Sequence, residues 1–189
     1  MLEVASFLIN IVGSAGYFAG TLQRQYRPER TSWIIWSGIL AVTFFSYRAL
    51  GAEESLWFIA GDLTATTAIM VVSLWFGVGG LTKLDRVMLL LGFSGLAIWI
   101  IFNTPLVALL CGLFADMCGA VPTLKKSLAD PQSESAYMYA ASCVASAIGV
   151  YLVGQWSLVL LVYPLYLFLI NGATALMVAV GRYHVQRSS

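Results

Sequence analysis

Seven stretches of about twenty apolar residues, joined by short polar connections, constrain this chain more than any other feature. They run over about 4–22, 32–50, 55–78, 87–102, 105–124, 135–153 and 157–181. A bilayer core about 30 Å thick asks for about 20 helical residues, so each stretch has the length of one crossing. The fourth and fifth are separated only by Asn103 and Thr104 before Pro105. One helix across both would be too long to cross once, and proline restricts its predecessor while suiting a first helical turn, so a tight turn is expected there. Of the 189 residues, 60% are hydrophobic and 10% charged, against roughly a quarter charged in soluble domains. Ten basic and nine acidic residues could not cover the surface of a soluble core this size. The expectation is an all-α membrane protein with seven transmembrane helices.

Orientation follows from the short loops. Arg24, Arg27 and Arg30 lie in the first, Lys83 and Arg86 in the third, Lys125 and Lys126 in the fifth, and Arg182 and Arg187 in the tail. The second loop carries Glu53 and Glu54, and Arg48 alone lies near it. Because cytoplasmic loops gather Lys and Arg, the N-terminus is expected outside and the C-terminus in the cytoplasm, in a multi-pass protein of the plasma (inner) membrane. The first stretch follows Glu3 and lacks a basic leader and a small-x-small cleavage site, so it reads as a retained span.

Two loops are written alike. Thr21-Leu22 matches Thr123-Leu124 at an offset of 102, and Gly16, Pro28, Ser32 and Gly51 match Gly119, Pro131, Ser135 and Gly154 at an offset of 103. Each copy ends an inward-running helix, makes a basic loop containing proline and starts a returning helix. Two copies with the same topology need one intervening span, so spans one to three and five to seven form parallel three-helix repeats joined by a linker helix, a 3+1+3 arrangement. The expected divisions are residues 1–80 for the first bundle, 81–104 for the linker and 105–189 for the second bundle.

The residues Gly119-Ala120-Val121-Pro122-Thr123-Leu124-Lys125, their counterpart Gly16-Tyr17-Phe18-Ala19-Gly20-Thr21-Leu22-Gln23, and the loops leading to Ser32 and Ser135 resemble the SWEET and PQ-loop (MtN3-like) superfamily of seven-span transporters. The chain has Pro122-Thr123 and Gly20-Thr21 where the name-giving dipeptide of that superfamily is proline-glutamine. The resemblance implies two three-helix bundles around a central path, most often for sugars or amino acids moved down a gradient or with protons.

Polar residues within the apolar stretches are the candidate site. Asp62 lies roughly 10 Å deep in span three at 1.5 Å per residue, and Asp116 lies near the middle of span five. A carboxylate facing lipid costs on the order of 3 kcal/mol, so both are expected to face the bundle interior, neutral or partnered, as candidate proton carriers. Asn171 in the last span and Asn10 in the first offer an amide donor pair and an acceptor, which suits a hydroxyl or amide of a small solute as well as an interhelical bond. Asn171 resembles the final-span asparagine of sugar-carrying relatives. The first copy has Ala68 at the corresponding position, with Thr66 and Thr67 beside it to supply hydroxyls. Trp33, Trp36, Trp57, Trp75, Trp99 and Trp156 mostly fall near span ends, as an aromatic belt requires, and Trp36 is also a candidate stacking wall. Pro122 removes a backbone hydrogen bond inside a helix and Gly20 supplies flexibility at the matching place, which makes the pair candidate hinges.

Other chemistries are not written here. Cys111, Cys118 and Cys143 sit in apolar runs without C-x-x-C spacing and read as buried thiols, and His184 is alone, so no metal centre or cofactor is expected. Gly13, Gly16 and Gly20 recur at helical spacing and suit close helix contact. No nucleophile, base and orienting group can be assembled, no phosphate cradle is present, and the basic residues are spread among loops, so neither an enzyme nor a nucleic-acid partner is expected. No Lys lies deep in a span, which excludes a retinal Schiff base. The expected function is alternating-access transport of a small polar solute, as uniporter or with protons. The alternative is a non-transporting receptor or sorting protein on the same scaffold. Expected partners are the solute and membrane lipid, and the chain is compatible with a homo-oligomer.

Overall fold

The computed structural model describes residues 2–49, 54–80, 82–102, 105–152 and 158–188. These form seven helices: α1 (Leu2–Leu22), α2 (Arg30–Ala49), α3 (Glu54–Phe76), α4 (Lys83–Phe102), α5 (Pro105–Ala129), α6 (Ala136–Leu152) and α7 (Leu158–Ser188). A single 3-10 turn, Pro131–Ser133, precedes α6. The fold is all-α. Asn103 and Thr104 of the expected tight turn, Gly51, Glu53, Gly154 and Trp156 lie outside the described residues, as do the side chains of Asn10, Arg48, Glu54 and Trp57.

Local chemistry sets several helix ends. Thr82 and Asp85 form a reciprocal capping box before α4: the Asp85 amide donates to Thr82 Oγ1 at 3.2 Å and the Thr82 amide to Asp85 Oδ2 at 2.9 Å. α1 stops in a Schellman arrangement. Arg24 adopts φ 60, its amide donates to the Thr21 carbonyl at 3.0 Å and the Gln25 amide to the Gly20 carbonyl at 2.8 Å. α5 begins at Pro105, where a missing N–H leaves nothing unpaired. It continues through the internal Pro122 to Ala129, and α7 runs to Ser188.

The helices group into two compact units. Unit 1 holds residues 1–27 and 124–189, and unit 2 holds residues 28–123. In unit 1, α6 packs on both α7 and α1, and α7 also carries the 3-10 turn. In unit 2, α2 packs on α3 and α4. Ile35 and Ile39 of α2, Leu96 of α4 and Ala115 and Cys118 of α5 share an apolar cluster there. The expected divisions follow chain order, whereas contact places α1 with α6 and α7, and most of α5 with α2, α3 and α4. Small residues permit these pairings. A Cβ on Gly13 of α1 would lie 3.0 Å from Ala141 Cβ of α6, and one on Gly119 of α5 would lie 2.7 Å from Trp36 Nε1 of α2. Among the described residues, a Cβ on Gly16 would meet nothing within 4 Å.

Two helical stretches, Lys83–Phe102 and Leu161–Arg187, are long and apolar enough to cross a membrane, which lends weak support to membrane association. Shorter apolar helical stretches occur at Ile11–Leu22, Arg30–Phe45, Asp62–Phe76 and Ala136–Tyr151. Large apolar side chains lie outside, as with Trp75 at 71% exposure, while Thr21, Thr31, Ser32, Ser73, Thr123, Ser127 and Glu134 are fully buried. Tyr17, Ile35, Ile69 and Val178 are buried as completely, so the interior mixes polar and apolar side chains.

Candidate functional site

Each unit builds a polar cluster where the loop ahead of one helix docks on the end of another. In unit 2 the segment from Pro28 to Arg30 docks on the end of α3. The Val78 amide donates to the Pro28 carbonyl and the Arg30 amide to the Val78 carbonyl, both at 2.9 Å. The Arg30 guanidinium then donates to the Ser73 and Gly79 carbonyls, each at 3.0 Å, and the Ser73 carbonyl also accepts from the Gly77 amide at 2.8 Å. Between them Glu29, 3% exposed, turns its carboxylate inward as the N-cap of α2. Its Oε2 accepts from the Ser32 amide at 2.9 Å and from Ser32 Oγ at 3.2 Å. Thr123 of α5 donates to Ser32 Oγ at 2.7 Å, completing a chain of three side chains. Gly79, at φ 75, makes the seat for Glu29: a Cβ there would lie 1.6 Å from Glu29 Oε1.

Unit 1 closes the equivalent junction with different residues. Here the arginine stands on the long helix: Arg182 donates to the carbonyls of Pro131 at 3.2 Å, Gln132 at 3.3 Å and Glu134. Its guanidinium lies 5.7 Å from the Tyr26 ring centre, and Tyr26 stacks on Tyr17 at 5.4 Å. Glu134 is fully buried, accepting from the Tyr17 hydroxyl at 2.8 Å and pairing with Lys126 at 2.5 Å. Lys126 also donates to the Arg27 carbonyl, while the Arg27 guanidinium pairs with Asp130. A buried carboxylate is tolerable only with such partners.

The residues expected from the sequence divide between the units. Asp62, Thr66 and Thr67 are half-buried on α3, Trp36 is half-buried on α2, and Asp116 is buried on α5 at 8% exposure, all in unit 2. Trp36 meets Trp33 edge to face at 5.2 Å and packs against the apolar cluster, so it is part of a helix contact. Trp33 is itself buried. Pro122 is buried inside α5, next to the chain's passage from unit 2 to unit 1 at Thr123–Leu124. In unit 1, Asn171 on α7 donates through Nδ2 to the Leu167 carbonyl of its own helix at 2.9 Å. Gly20 lies beneath the Tyr26 ring, where a Cβ would come within 2.5 Å of Cδ2. The three cysteines are free thiols, but only Cys118 is buried, Cys111 and Cys143 being half-buried, because α5 and α6 turn those positions partly outward.

Glu29, Ser32 and Glu134 as interior groups are what sequence reasoning missed. The available signal was an acidic residue within three positions of each matching serine, Glu29 before Ser32 and Glu134 before Ser135. No protein-family model, curated protein or solved structure matches the chain.

Proposed function

We propose that the chain is a multi-pass membrane carrier, with seven spans in the 3+1+3 arrangement, that moves a small polar solute such as a sugar or amino acid by alternating access. The N-terminus faces outward and the C-terminus the cytoplasm, in a plasma (inner) membrane. The SWEET and PQ-loop resemblance supports this reading, as does the corresponding docking of the Pro28 and Pro131 loops, one within each unit. The large apolar side chains left exposed, such as Trp75, Leu90 and Ile101, fit a lipid solvent.

The observation that carries the proposal is Asp116. A carboxylate buried within an apolar stretch of helix is costly, and in membrane proteins such groups mark pathways for ions, protons or solutes. Six residues later the same helix contains Pro122, about 9 Å away at 1.5 Å per residue, close enough for a bend to change the surroundings of the carboxylate. Asp62, Thr66, Thr67 and Asn171 are the further residues offered to protons or solute. Asn171 would have to exchange its bond to Leu167 for one to the solute.

Thermal unfolding of the purified protein across sugars, amino acids and vitamins tests the reading, since a ligand that binds the native state raises the midpoint by mass action. The expected result is saturable stabilisation by one chemical class, weakened by Asn171→Ala. Absence of stabilisation by every class would favour the non-transporting receptor or sorting protein.

A further inference from the structure

We propose that the hydrogen-bonded chain Thr123–Ser32–Glu29 is a latch that holds α5 against the start of α2 inside unit 2, and that this latch opens while the Tyr17–Glu134–Lys126 cluster of unit 1 stays closed. The proposal rests on the carrier reading for its purpose, though not for its test.

Three features make the chain a latch rather than incidental contact. Thr123 directly follows Pro122, so the hydroxyl lies where α5 lacks a backbone hydrogen bond and is easiest to bend. Ser32 is the hub: its hydroxyl accepts from Thr123 and donates to Glu29, while its amide also donates to Glu29. Glu29 cannot follow α5 if α5 moves. It caps α2, sits against Gly79 and is anchored by the backbone bonds of Pro28 and Arg30 to Val78. The weak link is therefore the single hydroxyl-to-hydroxyl bond between Thr123 and Ser32, at 2.7 Å.

Unit 1 lacks that link although the matching residues are present. Thr21 donates to the Tyr17 carbonyl of its own helix at 2.8 Å, and Ser135 Oγ accepts the Met138 amide at 3.2 Å. Its elements are joined instead through the Glu134 carboxylate, with a phenol and an ammonium as donors. Parting a neutral hydroxyl pair costs far less than separating a buried ion pair, which leaves charges without partners. Two halves built on matching residues thus differ in which one yields first.

Cys118 reports opening of the latch. It lies five residues before Thr123, is 4% exposed and packs with Ile35 and Ile39 of α2, so it reacts only when α5 separates from α2. The experiment measures maleimide labelling of full-length protein in detergent, carrying Cys111→Ser and Cys143→Ser. Thr123→Val, which keeps the side-chain shape, and Ser32→Ala are expected to label about fivefold faster, the factor corresponding to one neutral hydrogen bond. Thr123→Ser restores the hydroxyl and is expected to label at the parent rate, as is Tyr17→Phe. Parent-rate labelling of Thr123→Val, or equal acceleration by Tyr17→Phe, would overturn the latch. Accelerated labelling in a protein that transports nothing would uphold the latch and remove the carrier reading.

Discussion

Tyr17 and Glu134, 117 positions apart in the chain, meet in a buried hydrogen bond of 2.8 Å between phenol and carboxylate. The same carboxylate pairs with Lys126, so three helical segments depend on one acidic residue. Tyr17→Phe keeps the ring stacked on Tyr26 and removes one donor, and is expected to lower stability by about 1–3 kcal/mol. Lys126→Met leaves the buried carboxylate without its counter-charge and is expected to cost about 3–5 kcal/mol, recovered in part by adding Glu134→Gln. Denaturant unfolding in detergent measures the order. A larger loss for Tyr17→Phe than for Lys126→Met would contradict this account of the cluster.

Gly79 and Gly80 both have positive φ, at 75 and 85, yet they are not equivalent. A Cβ on Gly80 would approach nothing closer than 3.5 Å, so Gly80→Ala is expected to cost only backbone strain, about 1–2 kcal/mol. Gly79→Ala drives a methyl group into the Glu29 carboxylate and should also remove the N-cap of α2, a further loss of about 0.5–2 kcal/mol. Comparing unfolding midpoints of the two variants checks this, and equal losses would show that Glu29 is not held by Gly79.

Arg24 holds a left-handed conformation at the end of α1, where glycine is the favoured residue. Arg24→Gly is expected to raise stability by about 1 kcal/mol, read as a higher unfolding midpoint. A lowered midpoint would mean that the Arg24 side chain contributes more than its backbone conformation costs.

The membrane arrangement predicts that single cysteines at positions 53 and 83, in a background without Cys111, Cys118 and Cys143, label from opposite faces of a sealed vesicle. Nine of ten basic residues fall in the first, third and fifth loops and the tail, which the proposed arrangement puts on the cytoplasmic side together with position 83. Labelling of both positions from the same side would rule out the orientation and the number of crossings.

Hydropathy made the helices legible because an apolar run and a helix are both about twenty residues long here. The stretch expected at 32–50 is the helix Arg30–Ala49, and that expected at 55–78 is Glu54–Phe76. The ends of α5 and α7 were less legible. Lys125, Lys126 and Arg182 end the apolar pattern, but the helices continue past them, with Lys126 and Arg182 paired to loop groups. Pairing was not written in any single segment: α1 joins α6 through Gly13 and Ala141, and chain order gave no hint of it. Asp116 was recognisable from its place within an apolar run. Glu29 and Glu134 resembled ordinary loop charges, because Gly79 and Tyr17, which make their seats, lie 50 and 117 positions away.

The central claim is tested most directly by pH-gradient-driven uptake into proteoliposomes, using the solute that stabilises the protein against heat. The native protein is expected to accumulate that solute when a proton gradient is imposed. Asp116→Asn, similar in size but unable to carry a proton, is expected to exchange solute at equal pH and to fail to accumulate it, while Asp62→Asn does less harm. Accumulation by Asp116→Asn at the native rate would contradict the role of this carboxylate, and absence of uptake by the native protein would contradict the carrier itself.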